Sequence, residues 1–317
     1  MRIIFVPQYP TPMRYSEWWF KTLPGTFQEM GHQVVVLGRE YANIMHTRED
    51  LGLFASVHRS IEFEIHQIRE YMDIVIKQDD VLFLADTSFP GIFPNVLYHK
   101  KCPKMFAFCH ATPLNNYDYY SDVSYSKYPV ECSQSLLFDK IFLGSEYHQK
   151  KLQNSYSQNV FWKNTSVTYL PFPPIDPSTI KNKRYDLMSA SRPTPQKVDL
   201  DLEIEVSKKF GQINRPISDT WSDYFDNLAL SKILLITAHE DTFGYQIVDA
   251  VMNGCIPIAR NSFAYPELLP RDYLYDSKEE LLEKISYYLE HNDEIPTLLC
   301  EDKMKNFYKN IVKEMEE

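Results

Sequence analysis

Residues 239–258, HEDTFGYQIVDAVMNGCIPI, decide the fold. Just upstream, SKILLIT (Ser231–Thr237) is a short apolar run between polar residues, the length of a buried strand. Phe243-Gly244 makes a tight corner, and the apolar run IVDAVM continues from it as a helix. Asn253-Gly254 closes that helix, because glycine takes the left-handed cap without penalty, and CIPIA reads as the next strand. The segment is therefore a βαβ step with a corner open to a ligand. Two carboxylates flank the helix start. Asp241 has a plain reading as an acid at a helix entrance, where the macrodipole favours it. Asp249 lies inside an apolar helix, where an unpaired buried carboxylate is costly, so it must find partners.

Outward from this step the same alternation recurs. RIIFVP, HQVVVLG, VLFLAD, KMFAFCH and KIFLGS read as strands with helical stretches between them, the pattern of a doubly wound parallel sheet. The passage TYLPFPPIDPSTIKNKR then interrupts it, and its four prolines favour extended, semi-rigid chain. YDLMSAS restarts the alternation, and KEELLEKISYYLEH and EDKMKNFYKNIVKEMEE follow as amphipathic helices. The expected architecture is α/β with two Rossmann-like domains facing across a cleft: residues 1–170, a linker over 171–184, a second domain over 185–300, and a C-terminal helix over 301–317 packing back on the first domain. Open sheets of this kind bind ligands at the carboxyl ends of their strands.

The chain has 317 residues, 44% of them hydrophobic, enough for well-packed cores. No apolar stretch reaches the length of a membrane span, and MRIIFVPQYP is too short and Pro-broken for a secretory h-region, so a cytoplasmic protein is expected. The five cysteines form no CxxC pair and read as reduced thiols, not as a disulfide framework or zinc site. Cys109 and His110 are neighbours, but adjacent strand residues point to opposite faces, which disfavours a nucleophile and base pair. A net charge of −10 argues against a protein that coats nucleic acid. Local basic clusters remain in HKKCPK, HQKKL and KNKR, and such clusters are commonly solvated faces.

Neither GxGxxG nor GxxxxGK[ST] occurs, so ordinary dinucleotide enzymes and P-loop NTPases are disfavoured. Phosphate has other anchors. The backbone N–H groups of Gly244, Tyr245 and Gln246 open a helix directly after a strand. In SRPTPQK, Arg192 and Lys197 stand five apart after the strand YDLMSAS, where a forked guanidinium and a point charge would clamp a diphosphate.

These residues resemble the two-domain GT-B glycosyltransferases, specifically the retaining enzymes of family 4. Arg192 and Lys197 match the family's Arg and Lys spacing. Asp241 and Asp249 fall where the family has two glutamates, with Phe243-Gly244 in register between them. Both carboxylates are shortened relative to the family, and Glu240 is the alternative for the first position. The first half resembles the family more loosely: EMGHQVVVLG is similar to its strand entry, FAFCHATP places His110 where it has an active-site histidine, and FLGSEYHQKKL resembles its late strand that ends in Ser and enters a helix. The family's N-terminal glycine loop is replaced by MRYSEWW.

The resemblance implies a sugar leaving a nucleoside diphosphate, a UDP- or GDP-sugar, without metal or other cofactor. Arg192, Lys197 and the Gly244 helix start would stabilise the leaving phosphate. Glu240, Phe243, Gly244, Tyr245, Gln246 and Asp249 would bind donor, with Asp249 on the ribose, Asp241 on sugar hydroxyls and His110 orienting the sugar from the facing domain. Arg14, Tyr15, Ser16 and Glu17 would build the acceptor side. By itself His110 is equally a satisfied core or loop histidine. The stretch SFAYPELLPRDYLYDSKEELLEKI also resembles a smaller glycosyltransferase group that modifies a hypermodified tRNA base, so a nucleobase in tRNA or modified DNA is one acceptor and a glycan or small molecule the other. A non-catalytic sugar-nucleotide sensor and a GT-B epimerase are the rival readings.

Overall fold

The computed structural model describes residues 1–45, 53–87, 102–115, 124–155, 160–191 and 197–317. The first half holds strands β1 (Arg2–Val6), β2 (Gln33–Val36), β3 (Asp80–Leu84), β4 (Lys104–Cys109), β5 (Lys140–Leu143) and β6 (Thr165–Val167). They form one sheet in the order β2-β1-β3-β4-β5-β6, every pair parallel. The second half holds β7 (Tyr185–Met188), β8 (Ile213–Asn214), β9 (Ser231–Ile236), β10 (Ile256–Arg260) and β11 (Leu274–Tyr275), again all parallel, in the order β11-β10-β9-β7-β8. The central strands are continuous apolar runs because helices cover both faces of each sheet: all five residues of β3 are buried, and so are five of the six in β9.

The halves share apolar packing. One continuous cluster joins Trp18, Trp19 and Phe108 of the first half to Phe225, Phe243 and Ile247 of the second and to Phe307 near the C-terminus. The tail breaks into two helices, Glu301–Lys305 and Phe307–Glu316. At the break the Asn306 side chain donates to the Asp302 carbonyl at 2.8 Å, competing locally with the helical ladder. Phe307, Ile311 and Met315 bury one stripe of the last helix, and Ser166 and Lys140 of the first half reach its Glu314 at 3.2 and 3.1 Å.

Residues 168–184, the Pro-rich passage, form no regular element and lie bound along the second half. The Ser178 backbone N–H donates to Asn253 Oδ1 at 2.7 Å, and Lys183 donates to the carbonyls of Ser231, at 2.8 Å, and Gly254. Lys183 is therefore not part of a solvated basic lane, and burial pushes its ammonium below the ordinary range. No helix among the described residues is long and apolar enough to cross a membrane.

Candidate functional site

The loops after β4 and β9, at the carboxyl ends of the two sheets, meet where Thr242 Oγ1 donates to the His110 carbonyl at 2.7 Å. The corner that opens the helix Tyr245–Met252 is built on Gly244, with φ 99° and ψ 51°. A Cβ there would lie 3.1 Å from the Tyr265 ring and 3.2 Å from Leu268, so both conformation and space demand glycine. Asp241 turns its carboxylate back onto the corner, accepting from the Phe243 N–H at 3.1 Å. Burial pushes its pKa above the ordinary value, against the opposing pull of the Phe243 amide and the Lys197 ammonium. Lys197 and Asp241 thus share one corner. Gln246 reaches across to Ser191 at 3.0 Å, tying the helix start to the end of the strand loop. Arg192, the other half of the expected clamp, lies outside the described residues.

One helix turn on, Asp249 is 4% exposed. Tyr224 donates its hydroxyl to Oδ2 at 3.2 Å, and Oδ1 has no hydrogen-bond partner. Burial pushes the carboxyl up to about 8, only partly offset by the Tyr224 hydroxyl. A carboxyl group with one oxygen unsatisfied in an apolar setting leaves a buried hydrogen-bonding position open. Tyr224 itself was not found from sequence, since it belongs to another helix, Trp221–Ala229, and nothing local marks it.

The first half contributes His110. Tyr15 stacks on its ring with centroids 4.1 Å apart, Trp19 meets it edge-on at 4.7 Å, and Phe108 lies at 4.6 Å. Burial pushes the imidazole down to about 3, with His148 adding repulsion, so the ring is neutral at physiological pH; its Nε2 is buried without a partner. A neutral imidazole can orient a hydroxyl without adding charge.

The stretch expected to bind acceptor divides. Arg14 is exposed and Tyr15 packs on His110 as above, whereas Ser16 is buried. Glu17 accepts from the Met13 N–H at 3.1 Å, from Lys21 at 2.6 Å and from the Trp221 indole of the second half at 3.3 Å. Trp18 packs on Trp221 and Tyr245, with ring centroids 4.2 and 5.6 Å away. Much of MRYSEWW thus packs at the interface between the halves.

Glu240 also faces the first half. Its side chain is 7% exposed, and its Oε1 accepts from Asn115 at 2.9 Å, Tyr147 at 2.8 Å and the Lys151 ammonium, all in the first half. Burial alone would raise its pKa, but these donors together hold the carboxyl below the ordinary range. Lys151, read in sequence as part of a surface basic cluster, is an inward partner; Lys150 remains exposed beside Glu146. Lys100 and Lys101 lie outside the described residues.

No family model matches the sequence. A stretch of 76 residues is 33% identical to the tRNA-queuosine alpha-mannosyltransferase of Drosophila melanogaster, covering 24% of this chain but only 19% of that protein. Solved structures cover far more. HepE from Anabaena, solved with UDP and glucose, superposes over 100% of this chain and 99% of its own with a TM-score of 0.61 at 12% identity. The lipopolysaccharide outer core galactosyltransferase WaaB matches over the same shares, with a TM-score of 0.61 at 10% identity. TarM matches 79% of this chain and 54% of its own, with a TM-score of 0.54 at 12% identity. At these identities the likeness is one of fold: two parallel α/β sheets facing across a cleft, the GT-B architecture.

Proposed function

We propose that this protein is a retaining glycosyltransferase that moves a sugar from a UDP- or GDP-sugar to an acceptor hydroxyl without a metal ion. The observation that supports the reading is the Gly244 corner, where Asp241 lies beside Lys197 and Thr242 reaches the His110 carbonyl of the facing half, with the unpartnered Asp249 oxygen on the helix that the corner opens. As the glycosidic bond breaks, negative charge grows on the departing diphosphate. Lys197, Arg192 and the N–H groups at the Gly244 helix start supply positive charge there, which lowers the barrier more than it helps ground-state binding. Asp249 accepts from the ribose hydroxyls, Asp241 from the sugar, and His110 orients the sugar. The full-length likeness to HepE, solved with UDP and glucose, supports a nucleotide-sugar donor.

For the acceptor we favour a hydroxyl on a modified nucleoside in tRNA or DNA, supported by the stretch similar to a tRNA-queuosine mannosyltransferase. The inward turn of Lys151 and Lys183 favours the second reading, a glycan or small molecule, because fewer cations are left to meet phosphates.

The test is mass spectrometry of a UDP- and GDP-sugar panel incubated with the full chain, first without acceptor and then with tRNA or modified DNA. Hydrolysis of one donor, surviving chelation of divalent cations, supports the reading. Donor bound but returned unchanged identifies a sensor, and a donor returned as its isomer an epimerase. Sugar gained by tRNA or DNA identifies the nucleoside acceptor; hydrolysis with both left unlabelled favours the glycan or small molecule.

A further inference from the structure

We infer that Glu240 and Lys151 are positioning residues whose pairing across the two halves sets Asp241 opposite His110. The kinetic part of this inference rests on the glycosyltransferase reading; the structural part does not. Asp241 is bracketed by two residues that are each tied to the first half. On one side Glu240 gathers Asn115, Tyr147 and Lys151 on a single oxygen. On the other, Thr242 donates to the His110 carbonyl at 2.7 Å while its own carbonyl accepts from Ser145. With both neighbours held, the Asp241 backbone has little freedom relative to the histidine.

The first-half partners are themselves fixed. Tyr147 and Lys151 stand four apart on one face of the helix Glu146–Gln153. Asn115 is held by the Thr112 N–H, which donates to its Oδ1 at 3.1 Å. Glu267 of the second half accepts from the N–H groups of Glu146 and Tyr147 at 2.8 and 2.7 Å, bracing the start of that helix from the opposite side. Ser145 completes the cap by accepting from the His148 N–H at 3.1 Å. Contacts of this kind are strong in a dry junction and exchange readily for water when the halves part. Lys151 with Glu240 is the one cross-half ion pair in this network among the described residues, so it carries the charge-dependent part of closure.

The experiment combines small-angle X-ray scattering with donor kinetics on the full chain. Lys151→Met and Glu240→Gln, shown to be folded by circular dichroism, are expected to have a larger radius of gyration than the wild type, and Lys151→Arg to restore the compact value. Donor kcat is expected to fall about tenfold in the first two variants with KM changed far less, and to recover in Lys151→Arg. Should Lys151→Met not fold, Tyr147→Phe removes one hydroxyl from the same oxygen, keeps the packing, and is expected to widen the molecule to a smaller degree. A wild-type radius of gyration in every folded variant overturns the inference, and so does a kcat loss that Lys151→Arg leaves unrepaired. Absence of any donor turnover in the wild type would instead overturn the proposed function, and the scattering arm, which uses no nucleotide, would still decide the pairing.

Discussion

Glu240 and Asp249 are both buried acids on the same strand-corner-helix segment, and their surroundings push them in opposite directions. Glu240 faces the other half of the molecule, where an ammonium, a phenol and an amide converge on it, and it stays charged. Asp249 faces its own half, where it meets a single hydroxyl and keeps one oxygen unsatisfied. A buried carboxylate that gathers several donors is a structural brace. One whose demands are unmet costs folding energy unless something else supplies the missing donor, which is the usual situation at a binding site.

The largest effect expected of a single substitution at fixed pH comes from the corner that links the two acids. Gly244→Ala places a side chain in the left-handed region and drives its Cβ against Tyr265, which should cost about 2–3 kcal/mol of stability and displace both acids together. Urea unfolding of the variant measures this. Wild-type stability would mean that the corner does not lock their geometry.

The contrast sharpens with pH. The Asp249 carboxyl is raised from 3.8 to about 8 in the folded state. Between those values the unfolded chain has released its proton and the folded chain has kept it, so stability should fall as pH rises through that window, with a limiting slope of about 1.4 kcal/mol per pH unit from this group. Above about 8 the contribution is constant. Asp249→Asn should remove this slope in a series of thermal melts, because the amide does not titrate. An unaltered slope would show that Asp249 is not the group responsible.

Tyr224→Phe tests the only hydroxyl that meets Asp249 among the described contacts. Losing it should cost about 1 kcal/mol and move the upper end of the window to higher pH, because the donor that favours the charged form is gone. Smallest of all is the effect of Lys150→Ala. Its exposed pair with Glu146 should contribute no more than about 0.5 kcal/mol, in contrast to Lys151 one residue on. Equal losses at the two lysines would erase the distinction between surface and brace.

Much of the fold was legible in order along the chain. Apolar runs of strand length, a glycine where the chain must turn left-handed, and helical periodicity after it are local properties, so β1, β4, β9 and the Gly244 corner stand where the residues place them. The same holds for the need of Asp249 for partners, which follows from an acid inside an apolar helix. The partners were not legible, neither Tyr224 for Asp249, nor Lys151 and Asn115 for Glu240, nor Trp221 for Glu17. Tyr224, Lys151, Asn115 and Trp221 come from distant segments, and what they touch depends on how two sheets pack. By sequence HQKKL reads as a basic cluster and Arg14 to Glu17 as the acceptor side, yet Lys151, Glu17 and Trp18 all turn into the junction between the halves. The sequence by itself determined the strand-length runs, the helical stretches between them and the glycine corner, because each depends on near neighbours in the chain. Only the tertiary structure decided which acid is spent as a brace and which keeps an open oxygen, because charge and hydrogen-bond satisfaction depend on what lies across the cleft.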